Sequence, residues 1–145
     1  MQTRHSERGN ALIETAITIP ILLLLMVGIF EVGRAFETWQ VLSNAAREGA
    51  RVSVTPANDS VTTIALVKKY MADGALVNSA SASVVINKNA SFVVNGQTVG
   101  ASLVTVDYPF QFIILNPVAR LVVRGSRAGQ PITMHASALM RNEAQ

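Results

Sequence analysis

Apolar positions crowd into one stretch of the chain and then thin out into two different periodicities. Residues 11–30 read ALIETAITIPILLLLMVGIF, with Glu14 the one ionisable group. As a helix rising about 1.5 Å per residue, this stretch covers roughly 30 Å, the thickness of a bilayer's hydrocarbon core. Twelve of its twenty residues are Leu, Ile, Val or Phe. At about −0.3 to −0.6 kcal/mol each they contribute roughly −4 to −7 kcal/mol to insertion, against about +3 kcal/mol for an acidic residue at the centre. Glu14 lies in the first turns, where the penalty is smaller and the helix dipole favours negative charge. Pro20 allows a kink without preventing a span. Residues 19–30 are apolar all round, and so short a chain has too little left to enclose them as a soluble core helix. A cleaved secretory signal has a similar layout, but no small-x-small cleavage site follows, and residues 31–35 continue the helical pattern.

Helical periodicity persists to about Val54 and ends at Thr55-Pro56, because a residue before proline is pushed out of the α region. Counted from Asn10, that helix is roughly 68 Å long if straight, half of it beyond the bilayer. Val32, Phe36, Trp39, Ser43, Ala46 and Ala50 recur at three-and-four spacing and predict a packing stripe, bulky near the membrane and small further out. Its partner is either the protein's own sheet or the helix of a second copy. Glu31 with Arg34 and Glu48 with Arg51 stand three residues apart and read as solvated surface pairs. Asn58-Asp59-Ser60 offers an N-cap for a second helix that runs to Met71 and closes near Gly74.

The period then changes to two. Val84, Val85 and Ile86 form one apolar run and Phe92, Val93 and Val94 another, with residues 87–90 between them; Asn95-Gly96 is a hairpin signal. Val104, Val106 and Tyr108 fall on one face of a further strand, and Ile132, Met134, Ala136, Ala138 and Met140 on one face of the last. Between these two strands, residues 112–115 are an apolar stretch expected to be exposed, and Asn116-Pro117 starts a short helix reaching Val123. The expected fold is α+β: a long N-terminal helix, part transmembrane and part extracytoplasmic, packed on a small antiparallel sheet with one or two short helices.

Composition sharpens this picture. Half of the 145 residues are apolar, 14% are charged and the mean hydropathy is +0.35, an excess that belongs largely to residues 11–30. With no cysteine, disulfide scaffolds, thiolate metal sites, iron–sulfur clusters and cysteine nucleophiles are excluded. The net charge of +3 comes without any block of five or six like charges, which argues against a nucleic-acid tail. Arg4, His5 and Arg8 precede the span, so the positive-inside tendency places the N-terminus in the cytoplasm and everything after Phe30 outside it.

The leader MQTRHSERG ends at Gly9 and the apolar segment begins at once with Asn10-Ala11-Leu12-Ile13-Glu14. A short basic leader closed by Gly, then an apolar helix with Glu at its fifth position, resembles the processing site of type IV prepilins. Downstream, Phe30-Glu31-Val32-Gly33-Arg34-Ala35-Phe36 and Asn44-Ala45-Ala46-Arg47-Glu48-Gly49-Ala50-Arg51 are similar to the TadE-like minor pilins of the tight-adherence (Flp) pilus system. Residues 104–110 and 138–143 are similar to that family's ending. The resemblance implies a leader over residues 1–9, cleavage by a membrane-embedded prepilin peptidase between Gly9 and Asn10, a helix over residues 10–54 with its transmembrane part at 11–30, and an extracytoplasmic head over residues 55–145. Other pilins and the pilus assembly platform become the expected partners beside the lipid bilayer. After cleavage the new α-ammonium at Asn10 needs an anionic partner in lipid, and Glu14, one turn on, is placed to supply it in its own or a neighbouring subunit.

Groups for catalysis are sparse. His5 and His135 are isolated, and Asp59, Asp73 and Asp107 are scattered without metal-ligand spacing. No G-x-S-x-G elbow exposes a serine. No enzyme activity, metal, cofactor, small-molecule substrate or nucleic acid is therefore expected. The one basic cluster is Arg120, Arg124 and Arg127; with Phe112, Ile113 and Ile114 it forms a candidate partner surface, the alternative being a solubilising loop. Two functions remain in view: a structural minor pilin in assembly, adhesion or secretion, and a non-polymerising membrane-anchored binding or scaffold module.

Overall fold

A computed structural model describes residues 4–55, 58–122, 125 and 127–142. Helix α1 is continuous from Arg4 to Ser53 and carries Pro20 in its interior. It thus takes in described residues of the expected leader and ends one residue short of the expected Val54. Helix α2 (Ser60–Asp73) starts where the Asp59 carboxylate accepts from Thr62 N at 2.7 Å, one of the orphan amides of a first turn. A single 3-10 turn (Ser79–Ser81) leads into strand β1 (Ser83–Val94), followed by β2 (Gln97–Phe110), helix α3 (Leu115–Val122) and β3 (Ile132–Arg141). The three strands form one antiparallel sheet in the order β1-β2-β3. Fold class and antiparallel pairing are as the periodicities predict.

Two details differ. The apolar runs around Val85 and Val93 belong to a single strand: β1 pairs with β2 from Ser83↔Asp107 to Val94↔Gln97, with a register shift between Asn87 and Ala90. At that irregularity Asn89 N–H donates to Asn87 Oδ1 at 3.0 Å, so a polar side chain replaces the interrupted ladder. Secondly, only the small half of the α1 stripe is buried. Ala46 and Ala50 are fully enclosed beside Leu42 and Ala45, whereas Val32, Phe36 and Trp39 are exposed and the two rings stack on each other at 6.3 Å. The predicted packing stripe is corrected accordingly: the buried face runs through Thr38, Leu42, Ala45, Gly49 and Ser53.

The contacts divide the chain into two compact units, each containing part of α1. The second, Ala35–Gln111 with the residues from Gln130 onward, holds a closed core. There Leu42, Ala45 and Ala50 of α1, Val67 and Met71 of α2, and Val104, Val106, Tyr108 and Phe110 of β2 are all buried. The helix approaches the sheet closely because Gly49 has no side chain: a Cβ there would lie 2.5 Å from Val67 Cγ2 and 3.3 Å from Val104 Cγ1. Ser53 Oγ and Ser102 Oγ, both buried, meet at 2.6 Å, and the Ser53 hydroxyl also reaches Ala50 O at 2.9 Å. Their polar atoms are thus satisfied where water is excluded. On the open face His135 Nδ1 lies 2.7 Å from Asp107 Oδ1, its register partner.

Candidate functional site

The first unit consists of α1 up to Arg34 together with Phe112–Gly129. Its apolar helix is exposed over most of the span, Val27 and Gly28 being half-buried: Leu12, Ile13, Ile17, Leu22, Leu25 and Ile29 all lie open. It is long and apolar enough to cross a membrane. Gly9, Asn10 and Glu14 are exposed on its first turns, and among the described residues nothing beyond the helix's own adjacent backbone lies within 4 Å of the position a Gly9 Cβ would take.

Glu31, one residue beyond the apolar run, is 1% exposed. Reading it with Arg34 as a solvated pair is therefore wrong. Its Oε1 accepts from the backbone N–H groups of Ile113 (2.8 Å), Ile114 (2.6 Å) and Leu115 (3.3 Å), and its Oε2 accepts from Arg34 Nη1 at 2.8 Å. A helix starts with amides that have no partner in the helix; this carboxylate, from a residue 84 positions earlier in the chain than Leu115, takes the first of them, Leu115 N–H, together with the two amides that lead into α3. Burial alone would push the Glu31 carboxyl up, but the three amides and the Arg34 guanidinium outweigh it and hold the group below its ordinary value. Pro117 stands in the first turn of α3, where a missing N–H costs nothing. The chain returns past the same turn at Gly129, whose φ is +70° and whose Cβ, if it had one, would sit 2.6 Å from Asn116 N. Only glycine fits that backbone and that gap.

From this anchored start α3 lies along α1. Val118 lines an apolar groove of about 520 Å³ whose other walls are Pro20, Ile21, Leu23, Leu24 and Val27. Among the sequence-predicted partner residues, Ile113 is exposed and Phe112 and Ile114 are half-buried, so the expectation of an exposed 112–115 stretch holds only for Ile113. Tying the backbone to Glu31 turns their neighbours inward. Arg120 and Arg127 are exposed; Arg124 lies outside the described residues. Glu31 is the residue that sequence reasoning missed, and its one local signal is a lone acid at the end of an apolar run.

Among the described residues, one apolar helix of membrane-spanning length continues into an α+β unit closed on three antiparallel strands, an arrangement that fits a single-pass membrane anchor carrying an α+β unit. Within that class, residues 9–51 match the family model described as TadE-like protein, of the tight-adherence pilus system. The matched stretch takes in Gly9, Asn10, Glu14, Glu31 and the segment 44–51; the likenesses at 104–110 and 138–143 fall outside it. No curated protein and no solved structure matches the chain.

Proposed function

We propose that this protein is a structural minor pilin of a tight-adherence pilus, made as a precursor and cleaved by prepilin peptidase between Gly9 and Asn10. The observation that carries the reading is Gly9-Asn10 with Glu14 at the head of an apolar helix, inside the stretch that matches the TadE-like family. The N-terminus lies in the cytoplasm, where Arg4, His5 and Arg8 favour it, and the chain after Phe30 outside. Because α1 is helical through Gly9 and Asn10, the scissile bond must unwind to enter a protease cleft. Glycine helps, being worse by about 1 kcal/mol than alanine in a helix. Among the described residues, none packs on Gly9 to resist that unwinding. Once freed, the Asn10 ammonium pairs with Glu14, and the apolar helix enters a fibre's helical bundle in pilus assembly, adhesion or secretion. The role is structural rather than enzymatic.

Co-expression with a prepilin peptidase, followed by mass spectrometry of the intact chain, tests this. The expected product begins at Asn10; a product still beginning at Met1, beside a known prepilin that is cut in the same cells, refutes it. A second reading, a membrane-anchored scaffold that never polymerises, draws on α3, whose Val118 faces Pro20 and Val27 across the apolar groove, on a flank of α1 that a helical bundle would need. Recovery from membranes alone, and never from sheared fibres, selects that reading.

A further inference from the structure

We propose that α3 is a second membrane-contacting element, a short helix dipping into the leaflet on the Glu31 side of the bilayer with the guanidinium groups of Arg120 and Arg127 extending back towards the lipid headgroups. The direction of α3 carries the argument. Its first amide, Leu115 N–H, and the two before it are fixed at Glu31, the level at which the apolar run ends. Val118, three residues further on, faces Leu24 and Val27 across the groove. Helix α3 therefore runs back along the apolar part of α1. Val27 and Leu24 lie four and seven residues before Glu31, so Val118 sits about 6–10 Å inside that level. At such depth the medium around a membrane-spanning helix is lipid, and the apolar groove beside Val118 is continuous with the lipid-facing surface of α1.

Four further observations fit this occupant. A backbone entering hydrocarbon must have its polar groups satisfied, and Glu31 accepts from the two amides that lead into α3 and from its first, Leu115 N–H. The carboxylate's charge is offset by Arg34 at 2.8 Å. Residues 112–129 contain three arginines and no acidic residue, a balance complementary to anionic phospholipid. An arginine stem is long enough to cover apolar surface while its guanidinium reaches the headgroups from a helix lying below them. Ile113, 61% exposed at the mouth of this element, is then a lipid contact rather than an apolar side chain left in water.

The inference rests on α1 crossing the bilayer and is independent of leader processing. The absence of cysteine allows the full chain to carry single, environment-sensitive fluorophores. Four positions suffice: Ile113→Cys and Val118→Cys on the element, Ile17→Cys in the span, and Val77→Cys, 93% exposed, as the aqueous reference. Labelled protein is reconstituted into phosphatidylcholine vesicles with and without phosphatidylglycerol and challenged with aqueous iodide or with lipids spin-labelled near the headgroup. Expected is iodide quenching at positions 113 and 118 at least about fivefold below that at 77, with strong quenching by the spin-labelled lipid. Phosphatidylglycerol should increase the lipid quenching, and Arg120→Gln with Arg127→Gln should remove that increment, up to about fivefold in docked population per charge. Iodide quenching at 113 equal to that at 77, with position 17 still lipid-quenched, overturns the inference and leaves the anchor intact. Shielding from iodide without lipid quenching overturns it as well, because a protein surface then covers the helix. Loss of lipid quenching at position 17 refutes the anchor itself. Ile113 is exposed, so its replacement disturbs no packing and its result stands even if the Val118 variant misfolds.

Discussion

Glu31 shows how much can hang on one side chain. A buried carboxylate is costly unless donors surround it, and here three amides and a guanidinium do so. Replacing Glu31 by Gln keeps an acceptor but removes the charge, and should loosen the start of α3 by about 1–3 kcal/mol. The measurement is amide hydrogen exchange at Ile113, Ile114 and Leu115, expected to accelerate by roughly tenfold or more. Unchanged exchange would show that the cap contributes nothing. Acid should act in the same direction. The folded carboxyl lies below its ordinary value of 4.5, so its stabilisation is complete above that value and is lost as pH falls through the folded one. Exchange at the same three amides should therefore rise on acidification below the ordinary carboxylate range in the native chain, and not in Glu31→Gln. Local pattern reading could not find this role, because Glu31 and Arg34 three residues apart look like any surface pair, and what buries Glu31 comes from 82–84 positions away.

At the scale of elements, close approach of α1 to the sheet depends on small residues at Ala46, Gly49 and Ala50. Alanine is the better helix former by about 1 kcal/mol, so propensity alone predicts that Gly49→Ala stabilises. Sterics oppose it: the new Cβ would stand 2.5 Å from Val67 Cγ2, and overpacking a filled core costs about 1–3 kcal/mol. The steric effect should win, lowering the denaturation midpoint, and adding Val67→Ala should restore part of the loss. A Gly49→Ala chain as stable as the parent would mean that α1 sits further from Val67. Elements marked by local chemistry were legible in the sequence: the Asp59 cap, the Asn95-Gly96 turn with φ of 50° and 79°, and the alternation through Val104, Val106 and Tyr108. Continuity of β1 through Asn87 and Ala90 was not, since a shift in register is set by the partner strand and those residues carry no alternation of their own. The α1 stripe was half legible. Periodicity identifies a face, but which turns of that face find a partner depends on where the sheet ends.

For the whole molecule, the division of apolar surface between the two units separates anchoring from folding. Every core side chain of the second unit lies at or after Ala35, whereas the exposed apolar side chains of residues 11–30 belong to the first. Insertion rests on twelve large apolar residues worth roughly −4 to −7 kcal/mol together, and an arginine near the centre costs about +2.5 to +3.5 kcal/mol. Two arginines therefore cancel the driving force, while one leaves roughly half of it in place. Leu22 and Leu25 are the informative sites, being central, exposed and absent from the groove beside Val118. In the Leu22→Arg, Leu25→Arg chain, alkaline carbonate should release the protein from membranes that retain both the parent and either single variant. Hydrogen exchange at Val104 and Val106 should remain slow, because no group that shields them has changed. Retention of the double variant would mean that the segment is held by protein rather than by lipid. Simultaneous loss of protection at Val104 would mean that the core of the second unit depends on the span, against the separation its contacts describe.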